Sequence, residues 1–149
     1  MCIRDRAVAA DAAAVTDLVN AAYGHYVQRI GMQPGPMRED YAEVIGAADV
    51  VVADEDGALV GVLVLRITDE GFLIDNVAVH PSRQGSGLGR ALLEHAEAAA
   101  RRAGFDSVYL YTHERMSENL ALYTRIGYVE YERRSQGEFA RVFLRKHLT

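Results

Sequence analysis

Between residues 48 and 79, three apolar, valine-rich runs are separated by two turns of four residues. This spacing constrains the fold more than any other part of the chain. The runs cover residues 48–53, 59–67 and 72–79, and the turns are Asp54-Glu55-Asp56-Gly57 and Thr68-Asp69-Glu70-Gly71. β-Branched runs bounded by Asp and Gly read as strands. A four-residue connection joins antiparallel neighbours, because a parallel crossover needs about a dozen residues or more. The segment is therefore an antiparallel meander.

Helical patterns flank it. Val15, Leu18, Val19 and Ala22 fall at i, i+3, i+4 and i+7, with Asp11 placed to cap the helix. A polar stretch bearing Gly and Pro, 24–36, looks irregular, and a short second helix is expected over about 38–45. From Ser86 the pattern is helical again: Leu88, Ala91, Leu92, His95, Ala96, Ala99 and Ala103 share a face, and Gly104 stands where a helix C-terminus favours glycine. Residues 107–112 read as a strand, 117–126 as a helix ended by Gly127, and 128–133 with 139–144 as a terminal hairpin. There is no repeat, low-complexity tract or linker. The expectation is a single domain over 1–149, of α/β (α+β) class, with a mostly antiparallel mixed sheet and helices on both faces.

Composition narrows the function classes. The chain is half hydrophobic and carries a net charge of −5, which argues against a general nucleic-acid binder. Its apolar runs fall far short of the roughly 18 residues that span a bilayer, and its charged start lacks the apolar stretch of a signal peptide. The single cysteine, Cys2, cannot form an internal disulfide. A cytoplasmic protein with neither membrane nor nucleic-acid partner is expected. His25, His80, His95, His113 and His147 show no metal-ligand spacing, so no metal is expected either.

The segment Val77-Ala78-Val79-His80-Pro81-Ser82-Arg83-Gln84-Gly85-Ser86-Gly87-Leu88-Gly89-Arg90 carries the chemistry. A strand ends and a helix begins within a few residues, and glycines alternate across the junction. Bare backbone amides at a helix N-terminus suit a phosphate or pyrophosphate. Taken alone, the glycines fit a tight strand-to-helix turn equally well. No Gly-Lys-Ser/Thr of a P-loop occurs, and the Gly85-x-Gly87-x-Gly89 spacing after antiparallel hairpins does not match a dinucleotide fold.

Gln84-Gly85-Ser86-Gly87-Leu88-Gly89 resembles the Q/R-x-x-G-x-G/A signature of the GNAT superfamily of acyl-CoA-dependent N-acetyltransferases. Asn76-Val77-Ala78-Val79-His80-Pro81 resembles that family's preceding strand. The likeness continues through Glu118-Asn119-Leu120-Ala121-Leu122-Tyr123 and Gly127-Tyr128. It implies acetyl-CoA as cosubstrate, its pyrophosphate held by the backbone of Gln84, Gly85, Ser86, Gly87, Leu88 and Gly89, with Arg90 and Arg83 adding charge. It also implies a bulge around Val77 and Val79, whose exposed backbone would pair with pantetheine. A small-molecule or peptide amine is the implied acceptor, and a homodimer is compatible with the family. The charged Ile3-Arg4-Asp5-Arg6 departs from the clean first strand of family members and leaves that strand's length undetermined.

Acyl transfer to an amine needs a neutral amine, a polarised carbonyl and a proton for the leaving thiolate. A phenol of pKa ≈ 10 can supply that proton to a thiol of ≈ 8.5 and would then set an alkaline limb. Tyr123 lies four residues after Asn119, on one helix face. The resemblance places Tyr123 beside the thioester sulfur and Asn119 at the cofactor. Asp75 is the leading candidate base, ahead of His80, His113, Glu118 and water. Tyr23 and Tyr26, with His25, Met32, Met37 and Tyr41 near them, and Tyr111 and His113 at a strand end, are candidates for the acceptor pocket. Transfer is expected to be direct, through a ternary complex, since Cys2 lies far along the chain from these residues. The competing readings are a non-catalytic acyl-CoA-binding module and a nucleotide-dependent enzyme.

Overall fold

The meander folds as its turns dictate. In the computed structural model, which describes residues 2–4, 6–136 and 139–149, strands β2 (Asp49–Glu55), β3 (Ala58–Thr68) and β4 (Gly71–Val79) pair antiparallel in sequence order. The first turn tightens to Asp56-Gly57, with φ of 52° and 82°. Positive φ at both central positions is the type I′ turn, whose twist matches that of the strands.

Among the described residues seven strands form one sheet in the order β1-β2-β3-β4-β5-β7-β6. β1 is only Cys2–Arg4, on the outer edge of β2; of the charged start, Asp5 lies outside the described residues. β5 (Ser107–His113) runs parallel to β4 after the crossover helix α4 (Leu88–Arg102). In the terminal hairpin of β6 (Val129–Gln136) and β7 (Phe139–His147), the last strand inserts between β5 and β6.

Both faces are covered, by different helices. α1 (Ala12–Tyr23), α2 (Tyr26–Ile30) and α3 (Tyr41–Ala47) pack on Val50, Val52, Val62 and Val64. α4 and α5 (Ser117–Arg125) pack on Val51, Leu63, Val108, Leu110 and Leu144. The 24–36 stretch is thus less irregular than its composition suggests, since it contains α2. The second helix starts at Tyr41 instead of 38, where the Asp40 carboxylate accepts the Ala42 N–H at 3.0 Å. Asp11 is not a side-chain cap of α1; its carboxylate accepts the Val8 N–H and an ion pair from Arg4. The buried stripe of α4 is Leu88, Leu92, Leu93, Ala96, Glu97 and Ala100, rotated from the expected one, so Ala103 is exposed. Glu97 is tolerated there because Lys146 Nζ meets it at 3.1 Å.

Beside that pair the Tyr128 hydroxyl is fully buried without a hydrogen-bond partner among the described residues. An unsatisfied buried polar group costs about 1–3 kcal/mol. Tyr128→Phe keeps the ring that packs edge-on against Tyr123 and is expected to leave stability unchanged or raise it by up to about 1 kcal/mol, roughly 2–4 °C in Tm at this size. A clear fall in Tm by calorimetry would show that the hydroxyl has a partner.

Candidate functional site

The site begins with one extra residue. β4 pairs with β3 in steady register until Val64↔Asn76 is followed by Leu65↔Ile74, which leaves Asp75 unpaired as a β-bulge. The bulge reverses the alternation of the strand: Phe72 and Ile74 face α4, and after Asp75 it is Val77 and Val79 that do so. The expected bulge therefore exists, but at Asp75 and not at Val77 or Val79. On its other side β4 pairs with β5 only at Phe72↔Val108, Leu73↔Tyr109 and Ile74↔Leu110. Beyond Ile74 the two strands part.

Two cavities fill the gap. A groove of about 480 Å³ runs from the glycine turn between β4 and α5, with Val79, Gln84, Gly85, Gly89, Arg125 and Tyr123 among its walls. A smaller cavity of about 60 Å³ lies on the far side, against Asp75, Tyr111, His113, Met116 and Arg141. Tyr23, Val77, Asn119 and Tyr123 belong to both. The carbonyls of Val77 and Val79 turn into this space and are bonded to side chains, not to a strand: Tyr23 Oη donates to Val77 O at 2.9 Å, and Gln84 Nε2 to Val79 O at 3.3 Å.

At the turn, His80 Nδ1 accepts the Ser82 N–H at 3.1 Å, so this ring caps the loop. Gly85 and Gly87 hold φ of 81° and 91°, which L side chains rarely adopt, so the path into α4 requires glycine. A Cβ on Gly89 would meet only Val79 Cγ2, at 3.7 Å. The first-turn amides of α4 have no helical acceptor, and Leu88 N reaches only Ser86 Oγ, at 3.4 Å. Leu88 itself is buried in the core. Of the expected cations, Arg83 lines the groove while paired with Glu55, and Arg90 is exposed beside Glu94. Arg125, which the sequence reading passed over, lines the groove.

Tyr123 is 6 % exposed, and burial holds its phenol well above the usual value of 10. Asn119 stands one turn before it on α5 and lines the same two cavities. Asp75 is half-buried, with Arg66 Nε and Tyr111 Oη each donating to it at 2.9 Å. Tyr23 Oη lies 2.8 Å from Asn76 Oδ1, while Asn76 Nδ2 donates to Tyr41 Oη and Tyr41 donates to Pro36 O. Asn76, buried and central to this network, had no periodicity signal of its own.

The remaining candidates separate. Tyr111 and His113 line the small cavity. Tyr26 lines the larger groove instead, and its hydroxyl donates to Glu118 at 2.9 Å. Arg29 also holds Glu118, which lowers that carboxyl to about 2 and makes it a poor base. His113 Nδ1 accepts the Arg115 N–H at 3.1 Å, so its neutral ring carries the proton on Nε2 and presents a donor. Burial lowers its pKa further. Among the described residues no three His, Cys, Asp or Glu side chains are grouped to hold a metal ion, and no helix is long and apolar enough to cross a membrane.

Tyr23, Tyr41, Tyr111, Tyr123 and Tyr128 are all shifted above 10, chiefly by burial. For a group raised in the folded state, stability is intact below the unfolded value and is lost as pH climbs through the folded one. Thermal scans should therefore show these tyrosines adding no pH dependence below about pH 10, and Tm falling steeply above it. A flat Tm to pH 12 would contradict the burial of these hydroxyls.

The profile of the acetyltransferase (GNAT) domain matches residues 46–130, which span the meander, the glycine turn and the Asn119–Tyr123 helix. An IAA acetyltransferase of Azospirillum brasilense is 33 % identical over 82 residues, covering 54 % of each chain. A mycothiol acetyltransferase of Beutenbergia cavernae is 38 % identical over 76 residues, covering 50 % of this chain and 26 % of that one. The matched region is thus about half the length of the first curated relative and about a quarter of the second. In fold, the chain is similar to the PaiA N-acetyltransferase from Thermoplasma acidophilum in complex with coenzyme A, with a TM-score of 0.80 over 99 % of both chains at 18 % identity.

Proposed function

Because the chain belongs to the GNAT acetyltransferase domain family, we propose that it transfers the acetyl group of acetyl-CoA to an amine by direct attack in a ternary complex. One observation supports this above the others. The groove opened where β4 leaves β5 runs from the glycine turn to Tyr123, and there it meets a second cavity. A groove for a long cosubstrate and a pocket for an acceptor thus share one wall.

The residues fit acetyl-CoA. The amides of Gly85, Gly87, Gly89 and Arg90, at the N-terminus of a 15-residue helix, suit its pyrophosphate, those of Gln84 and Ser86 being given to Pro81 O and Arg83 O, and Arg125 lies along the same groove. The Val77 and Val79 carbonyls lie where an extended amide chain could pair as a further strand. Asn119 flanks the junction. When bound, acetyl-CoA supplies a thioester carbonyl. Tyr123 is the proposed acid: its phenol gives a proton to the sulfur as the C–S bond breaks, while the acceptor nitrogen forms the new C–N bond. Asp75 is the proposed base that takes the surplus proton from that nitrogen. Cys2 lies exposed on β1, with β2 and β3 between it and β4, so no cysteine stands ready to carry the acyl group.

Thiol release from acetyl-CoA over a panel of amines tests the reading. Binding without release on any amine would instead favour a non-catalytic acyl-CoA-binding module. Gly87 is a poor site for mutation, since its positive φ strains any replacement. Gly89→Leu has no such strain and places its side chain in the groove, so acetyl-CoA affinity should fall about tenfold or more with Tm preserved, which is about 1.4 kcal/mol of binding. Unchanged affinity by calorimetry would move the cosubstrate elsewhere.

Tyr123→Phe removes only the hydroxyl. It should lower kcat by roughly 10²–10⁴-fold when chemistry limits turnover, with acetyl-CoA affinity retained. Because burial holds the phenol above 10, an alkaline limb set by Tyr123 lies above that of an ordinary phenol. Wild-type kcat in Tyr123→Phe would remove the residue from the mechanism.

A further inference from the structure

We infer that Tyr23 orients the acceptor: its hydroxyl oxygen accepts an N–H of the attacking amine where the two cavities meet. The inference rests on the acyl-transfer reading above and adds the group that aims the nitrogen at the thioester.

The polarity of that hydroxyl is fixed by a chain of hydrogen bonds that starts two side chains away. Tyr41 Oη gives its proton to Pro36 O at 2.6 Å, so toward Asn76 it can only accept. Asn76 must therefore turn Nδ2 to Tyr41, at 3.1 Å, which leaves Oδ1 facing Tyr23, at 2.8 Å. The other neighbour of Tyr23 Oη is Val77 O at 2.9 Å, which also only accepts. The single phenol proton is thus committed to these two oxygens. Burial raises its pKa well above 10, so the proton stays there at neutral pH. What remains on Tyr23 Oη is lone pairs, and among the described residues no group donates to them.

Tyr23 and Tyr123 line both cavities, while Asp75 lines the smaller one. The two tyrosines at the junction then have opposite roles: Tyr123 gives a proton to the sulfur, and Tyr23 offers only lone pairs. A primary amine brings two N–H bonds and one lone pair. With the lone pair turned to the thioester carbonyl, both hydrogens need acceptors. Asp75 receives one as the proposed base. A carboxylate has about four lone-pair sites, of which Arg66 and Tyr111 use two. Tyr23 Oη receives the other hydrogen. As the C–N bond forms the nitrogen becomes cationic, so both hydrogen bonds strengthen toward the transition state. The surplus proton still leaves through Asp75, and Tyr23 neither gains nor loses one.

Thiol release from acetyl-CoA with isobutylamine, or with the most active primary amine of the panel, tests this. Tyr23→Phe should lower kcat by roughly 10–100-fold, the usual worth of a hydrogen bond to a charged group, with KM for the amine changed less and acetyl-CoA affinity retained. The N-methyl derivative of the same amine has one N–H, which goes to Asp75, so it should lose far less and the primary-to-secondary ratio should fall. Tyr23→Phe also leaves Asn76 Oδ1 without a donor, so acetyl-CoA affinity serves to show that it is folded. A second variant keeps every bond: meta-fluorotyrosine at position 23 withdraws electron density from the oxygen, which weakens an acceptor and strengthens a donor. A lower kcat is expected, and a higher or unchanged one overturns the proposal. Wild-type kcat in a folded Tyr23→Phe overturns it too, as does a loss confined to acetyl-CoA affinity, which would assign the hydroxyl to the cosubstrate. In those cases acyl transfer itself stands. If no amine releases thiol from the wild-type protein, the acyl-transfer reading fails, and this inference with it.

Discussion

β4 keeps its hydrogen bonds to β3 over nearly its whole length but gives up those to β5 after three residue pairs. Everything at the site follows from that unequal pairing. A backbone released from one neighbour must find other partners, and here the Val77 and Val79 carbonyls take them from Tyr23 and Gln84. The bulge at Asp75 performs two tasks at once. It leaves the residue unpaired at the point where the strands diverge, and it changes which side chains of β4 face which helices.

The walls of the cleft are braced by buried polar groups. Asn76, 7 % exposed, holds Tyr23 and Tyr41 together, tying α1 and α3 to the diverging strand. Across the larger groove, Tyr26 and Arg29 of α2 both reach Glu118 at the start of α5. Exposed ion pairs contribute little, typically 0–1 kcal/mol, so rigidity comes mainly from the buried network. Farther along, the sheet face bearing Leu73, Tyr109 and Phe143 is shielded in part by arginines: Arg134, Arg141 and Arg145 stack on its aromatic rings. Arg141 thus belongs both to this cover and to the small cavity, a role that its place in the hairpin sequence does not disclose.

Much of the fold was legible. The turns at 54–57 and 68–71 are too short for anything but antiparallel neighbours, and the strand-to-helix junction announces itself through glycines that must adopt positive φ. Gly104 and Gly127, with φ of 90° and 108°, sit just beyond α4 and α5 as their positions implied. Other features were read less well. Asp11 looked like a cap but was claimed by Arg4, and the face of α4 was rotated because Glu97 is buried against Lys146. In both cases a distant partner overrode a local pattern.

By itself, then, the sequence determined the elements, their antiparallel majority and the glycine turn, because these depend on contacts within a few residues. It also carried the Asn119 and Tyr123 spacing, since residues four apart on a helix must share a face. Only the tertiary structure decided that β7 lies between β5 and β6, which brings Arg141 opposite His113. Only it decided that the extra residue of β4 is Asp75, and that Arg66, from the neighbouring strand, would hold that carboxylate beside Tyr111. The physical reason is common to both: strand order and register are settled by side chains far apart in the chain burying one another, and no local pattern records which distant surface a residue will meet.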